Sequence, residues 1–151
     1  MEQNKKPLAY RLMRVNTEKF VFELPHEKFE IKSLELINYH VDPKVMFDVE
    51  GAFIIIKCII KANVIETEEV VMEIETYFKF SVENLADYVV TKGNNTEFKD
   101  YKDNQFLGLL IGVAYSTMRG IILERLRGTF IESQILPVIN PMNFIKNKVE
   151  E

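Results

Sequence analysis

The segment from Glu68 to Val82 constrains the fold more than any other stretch. Its even positions, Val70, Met72, Ile74, Phe78, Phe80 and Val82, are apolar, with Thr76 the one interruption. Its odd positions, Glu69, Glu73, Glu75, Lys79 and Ser81, are polar, with Val71 and Tyr77 the exceptions. Alternation of period two over this length predicts an antiparallel strand with one face on a core and the other open to water or a partner. The stretch from Ala52 to Val64 is its mate. Ile54, Ile56, Cys58, Ile60, Ala62 and Val64 form one apolar face, and Phe53, Ile55, Lys57, Ile59 and Lys61 form the other. A short polar connection, Ile65 to Thr67, joins the two. A slip of one residue turns the wrong face inward, so even positions must pair with even ones. That register sets Lys57 or Lys61 opposite, or diagonal to, Glu69, Glu73 or Glu75. Each such pair contributes about 0.2–1 kcal/mol.

Two further strands are expected. Tyr10 to Leu24 alternates on either side of a polar break at Asn16 to Lys19, which reads as a bulge or bend, and Pro25 ends it. Val45, Phe47 and Val49 alternate against Met46 and Asp48 after a turn at Asp42-Pro43, and Leu34, Leu36 and Asn38 form a short strand candidate before it. Gly51 is either a turn or a bulge in one long strand; the turn gives four strands and is the preferred reading.

Helical character begins after Val82. Leu85, Tyr88 and Val89 lie at helical spacing, and Lys92-Gly93 reads as the C-cap. Asn94 to Lys102 reads as an exposed loop. Asp103 or Asn104 caps a long helix that runs to about Arg127, with Gly128 as its stop. Phe106, Leu110, Val113, Ile121 and Leu126 supply its apolar side. Gly108, Gly112, Ser116 and Gly120 recur every four residues, a stripe that lets another backbone approach closely, either the chain's own sheet or another subunit. The apolar run from Phe106 to Val113 reads as too short to span a membrane. After an apolar irregular segment from Phe130 to Ile139, Asn140-Pro141 opens a last short helix through about Lys148.

The chain of 151 residues is expected to form a single domain with a core of its own, its first seven residues frayed. A net charge of −4 and scattered basic residues argue against nucleic acid and anionic membranes as partners. The one cysteine, Cys58, lies on an apolar strand face and reads as a buried, inert thiol. The opening Met-Glu-Gln-Asn-Lys-Lys-Pro has no apolar signal core, so a cytoplasmic location is expected. Nothing resembles a catalytic kit. The histidines are His26 and His40, and no phosphate loop, nucleophile elbow or zinc helix is present. Glu73 and Glu75 share a strand face, but beside Lys57 and Lys61 they read as a solvated charge face rather than an acid–base pair. The expectation is a non-enzyme without metal or cofactor. What the chain does have is apolar surplus: eleven Phe, six Tyr and six Met, which suit an oligomer or adaptable grooves for a partner.

The C-terminal third carries a recognisable pattern. Tyr115-Ser-Thr-Met-Arg-Gly-Ile-Ile-Leu-Glu-Arg-Leu-Arg-Gly-Thr-Phe130, followed by Leu136-Pro-Val-Ile-Asn-Pro-Met-Asn-Phe144, resembles the SecB family of export chaperones. Tyr10 to Pro25 is similar to that family's first strand, and Val71 to Phe80 to its last. The chain departs from the family before the long helix, where Lys102-Asp-Asn-Gln-Phe-Leu-Gly replaces a proline-containing stretch, and in having no Trp.

The resemblance implies an α+β fold: a four-stranded antiparallel sheet with a long helix and a short C-terminal helix packed on one face. It implies homotetramers built as dimers of dimers. The activity implied is ATP-independent holding of unfolded or precursor polypeptides in apolar grooves for protein export, with Leu24, Val45, Phe47, Tyr77, Phe144 and Ile145 contacting clients. Docking of the export motor SecA falls by motif on Glu23 and Glu73, with Val71 beside them. Divergent family members instead control an antitoxin in toxin–antitoxin systems. A protein-interaction scaffold of the same fold is a further alternative.

Overall fold

The computed structural model describes residues 5–24, 37–134 and 136–146. In chain order its elements are β1 (Ala9–Phe22), β2 (Ile37–Asp48), β3 (Phe53–Val64), β4 (Val70–Glu83), α1 (Leu85–Tyr88), β5 (Val89–Lys92), β6 (Asn95–Phe98), α2 (Asn104–Arg125) and α3 (Asn143–Lys146). The first four strands form one antiparallel sheet in the order β1-β4-β3-β2. The fold is thus the expected α+β arrangement, with α2 as the long helix.

The β3–β4 register pairs even with even: Ile54 faces Phe80, Ile56 faces Phe78, Cys58 faces Thr76 and Ile60 faces Ile74. All of these are buried, and they form the floor of the core. Lys61 stands opposite Glu73 and bridges to it at 4.0 Å, while Lys57 reaches diagonally to Glu75 at 3.6 Å. Gly51 belongs to a turn. Its amide donates to Asp48 Oδ1 at 3.0 Å, and a Cβ there would meet the Asp48 carboxylate at 2.5 Å and the Phe53 ring at 2.8 Å, so a larger residue would have to displace those side chains. The left-handed residue of that turn is Ala52, with φ 58°. In β1 the break expected at Asn16 to Lys19 is a register shift between Thr17 and Lys19, and a second one lies between Leu12 and Arg14.

Several expectations are corrected. Asp42-Pro43 is not a turn but the middle of β2, with Pro43 opposite Cys58. β2 is an edge strand, which tolerates a missing N–H on its outer side. Val71, expected on the open face, is only 1% exposed, because a register shift beside Ala62 turns it inward and leaves Val70 outside. The helix expected to run to Thr91 is the single turn α1. Val89–Lys92 and Asn95–Phe98 instead form a hairpin around Gly93-Asn94, with φ +62° at Gly93. Gly at the first central position of a two-residue loop is the signature of a type II′ turn. The possible strand at Leu34 and Leu36, and His26 and Pro25, lie outside the described residues.

A 3-10 turn, Tyr101–Asp103, leads into α2, and Asp103 occupies the N-cap position without a side-chain cap bond. The helix has 22 residues, about 33 Å at 1.5 Å each. Its buried residues are Leu107, Gly108, Leu110, Ile111, Ala114, Tyr115, Met118 and Ile122. Leu110 and, past the helix end, Leu126 match the expected apolar side, whereas Phe106, Val113 and Ile121 are only partly covered. The 3-10 turn and α2 together are, by length and composition, long and apolar enough to cross a membrane, a longer span than the expected run from Phe106 to Val113, and the sheet takes up the inner face of α2. The helix ends at Arg125 with Leu126 as its C-cap, two residues short of the expected Arg127, and Gly128, at φ +80°, turns the chain just beyond it. The chain then returns along α2. Tyr39 Oη donates to the Gln134 carbonyl at 2.8 Å, Tyr115 Oη donates to the Pro137 carbonyl, and Ile131 and Leu136 are buried. Asn140 opens the last turn, its Oδ1 accepting from the Met142 amide at 3.1 Å, and α3 follows through Lys146.

Candidate polypeptide-binding surfaces

The glycine stripe divides into two halves. A Cβ at Gly108 would meet the Met142 sulfur at 2.5 Å, and one at Gly112 would meet Pro141 Cγ at 3.3 Å. These two glycines seat the returning segment against the helix. At Gly120 a Cβ would meet nothing within 4 Å, and Ser116 is exposed. The close packing is therefore within the chain at the start of α2 and open at its end.

On the outward side, Leu109, Val113, Ser116, Gly120 and Leu123 follow one another at intervals of four and three residues, a single stripe along four turns with no charge on it. Leu109 is 49% and Leu123 45% exposed, and Val138 on the neighbouring return segment is 84% exposed. A helix that packs one apolar side on its sheet and presents another outward has a surface fit for a second apolar body.

The residues expected to bind clients do not converge on one site. Val45 and Phe47 lie on the helix-facing side of β2 and pack against the core, with the Phe47 ring 5.7 Å from that of Phe98. Phe144 packs there too, and Ile145 is buried near Gly108. Tyr77 is on the opposite face of the sheet, paired with Lys57. Leu24, 71% exposed, follows the end of β1.

Glu23, Val71 and Glu73 do meet at one corner. The Glu23 amide donates to the Val71 carbonyl at 2.9 Å, and Glu73 pairs with Val21. Val71 points into the core. The Glu73 carboxylate lies 3.1 Å from Lys19 Nζ and 4.0 Å from Lys61 Nζ, so two lysines already compensate its charge.

Three buried or half-buried polar side chains lie where β2, β3 and α2 meet. Burial, with a smaller contribution from Tyr115, pushes the Tyr39 hydroxyl up to about 12, and burial likewise pushes the Cys58 thiol up to about 12. Burial also raises Tyr115. A thiol so disposed stays protonated and is a poor nucleophile. Among the described residues no three His, Cys, Asp or Glu side chains group as metal ligands would.

This architecture is similar to the SecB-like chaperone fold. The solved SecB-like chaperone Rv1957 of Mycobacterium tuberculosis, in complex with a ChAD peptide from the HigA1 antitoxin, superposes with a TM-score of 0.50 at 10% identity, covering 87% of this chain and 88% of that one. No protein-family model matches the chain, and no curated protein does.

Proposed function

We propose that this chain is an ATP-independent, SecB-like chaperone that holds unfolded polypeptide segments against apolar surface. The observation that carries the reading is the exposed apolar surface at Leu24 and Val138, outside the α2 stripe, on a fold shared with a SecB-like chaperone. Extended clients would gain affinity from apolar and backbone contacts without sequence specificity. Leu24 and the partly covered Val45, Phe47, Tyr77 and Phe144 are the accessible members of the expected client-binding set, and Ile145 is buried. A cytoplasmic homotetramer, with the α2 stripe as the contact between copies, completes the proposal.

Control of an antitoxin fits better than protein export. The similar fold of the mycobacterial chaperone was captured with an antitoxin peptide. Export would need SecA, or a motor like it, to dock through Glu23 and Glu73, and the Glu73 carboxylate is already paired with lysines.

The test is suppression of aggregation of an unfolded model protein without ATP, with the solution mass measured in parallel. The proposal expects dose-dependent suppression by an oligomer. Leu109→Asp and Leu123→Asp should lower the mass, and Val138→Asp should weaken suppression. A well-folded protein that leaves aggregation unchanged rules out the chaperone reading and favours a scaffold of the same fold.

A further inference from the structure

The sheet face turned away from α2 gathers cations that lie far apart in sequence. On β1 the residues facing that way are Arg11, Arg14, Asn16, Lys19 and Val21; on β4 they are Ser81, Lys79, Tyr77, Glu75 and Glu73. β3 adds Phe53, Ile55, Lys57, Ile59 and Lys61, and β2 adds Asp48, Met46, Lys44, Asp42 and His40. In the half nearer the Gly51 turn, Arg11, Arg14, Lys79, Lys57 and Lys44 form a band across all four strands. Two of its neighbouring pairs are like-charged: Arg14 stands directly opposite Lys79, and Lys44 directly opposite Lys57.

The carboxylates neutralise this band only in part, at Lys57, 3.6 Å from Glu75, and at Lys44, 4.0 Å from Asp42, and leave Arg11, Arg14 and Lys79 without a carboxylate partner among the described residues. Glu73 and Glu75 sit in the other half and bridge to Lys19, Lys61 and Lys57. Asp42 lies 4.0 Å from Lys44, Glu18 accepts from Asn16, Asp48 accepts from the Gly51 amide, and Glu83 lies at the end of β4. Arg11 and Arg14 have no ion pair among the described residues. Lys57 is held protonated, first by its hydrogen bond to Tyr77. Like charges directly opposite destabilise a sheet, so an external anion has something to relieve. Between the cations lie the apolar side chains of Ile55, Met46 and Tyr77.

We propose that this open face docks an acidic polypeptide segment, its carboxylates pairing with Arg11, Arg14, Lys79 and Lys44 and its apolar side chains covering Ile55, Met46 and Tyr77. The sign is opposite to that of an acidic docking face, and the inference does not depend on the chaperone reading. Two rival occupants fit less well. A second copy laid face to face would set each band either against the other band or against Glu73 and Glu75, which Lys19, Lys57 and Lys61 already engage. A single-stranded nucleic acid needs free aromatic faces to stack on, and here Lys79 Nζ lies 4.0 Å from the centre of the Phe53 ring and Lys57 Nζ 5.4 Å from that of Tyr77.

The experiment uses the full chain and a fluorescent peptide of alternating Glu and Leu, with a Lys-for-Glu peptide and an oligo-thymidine strand carrying the same label as comparisons. The acidic peptide should bind best, and its affinity should fall as salt rises. Arg14→Glu should weaken it about tenfold, with a thermal midpoint no lower than that of the parent, since the change replaces a like-charged pair by an attractive one. Lys44→Glu, on the other edge of the sheet, should weaken it too. Absence of binding at low salt, equal binding of the basic peptide, or unchanged affinity in a folded Arg14→Glu chain overturns the proposal. Tighter binding of the oligonucleotide reassigns the face to nucleic acid, and a drop in solution mass on Arg14→Glu reassigns it to a second copy.

Discussion

Thr17 Oγ1 and Thr76 Oγ1 lie 3.0 Å apart, joining β1 to β4. Thr76 is fully buried and sits among apolar residues on the core side of β4. The pair satisfies the Thr76 hydroxyl, which no water reaches, while Thr17 is half-exposed. Thr17→Val should leave the buried Thr76 hydroxyl unpaired and cost about 1–3 kcal/mol. The double replacement Thr17→Val with Thr76→Val should restore most of the loss. Urea denaturation of the parent, both single variants and the double variant measures the coupling; simple additivity of the two losses would show that the pair contributes nothing jointly.

The divided glycine stripe predicts opposite outcomes at its two ends. Gly120→Ala adds a methyl group into open space inside a helix and should stabilise the folded chain by about 0.5–1 kcal/mol. Gly108→Leu places a side chain where Met142 and Ile145 already sit and should destabilise it by about 1–3 kcal/mol. Thermal midpoints of the two variants decide the matter, and a loss at Gly120 comparable to that at Gly108 would contradict the division.

Stability should fall at alkaline pH. Cys58 and Tyr39, each with a folded pKa of about 12, are raised above their ordinary values, and Tyr115 is raised as well. Between about pH 8.5 and 12 the unfolded chain releases these protons before the folded one does, so folding is disfavoured as pH rises through that window. The stabilisation is fully present below the unfolded values. The urea midpoint should therefore decline from pH 8 to pH 11, and Cys58→Val should make the decline shallower. A midpoint independent of pH in that range would refute the assignment.

The like-charged pair on the open face has a stability consequence separate from any partner. Arg14→Glu, opposite Lys79, should raise stability by about 0.2–1 kcal/mol at low salt. The gain should shrink as ionic strength increases. Chemical denaturation at two salt concentrations tests both statements.

Much of the fold is legible in local pattern. The alternation in β3 and β4 gave their pairing parity, and with it the Lys61–Glu73 and Lys57–Glu75 contacts. The polar break in β1 marked a register shift. The chain turn at Gly128 and the opening of the last turn at Asn140 follow from local backbone chemistry. The 89–98 hairpin was misread because Leu85, Tyr88 and Val89 happen to share helical spacing. The informative signal was Gly93-Asn94, a two-residue loop between short strands. The candidate site was harder to read. Leu109, Val113 and Leu123 on the outside of α2 are as apolar as the residues inside, so periodicity could not separate the two faces.

The sequence by itself determined the strands β1, β3 and β4 and the long helix, the parity of the central hairpin, and an apolar surplus without a recognisable catalytic motif. Those properties depend on neighbours within a few residues, where side-chain period and turn chemistry act. Only the tertiary structure decided that Val71 turns inward at a register shift, that Gly108 and Gly112 seat the return segment, and that Pro43 lies on an edge strand. It also decided that Arg11, Arg14, Lys44, Lys57 and Lys79 stand on one face. Their adjacency follows from the strand order β1-β4-β3-β2, which joins the first strand to the last. That order is set by burying both strands' apolar faces under one helix, a condition on the whole core rather than on any segment of it.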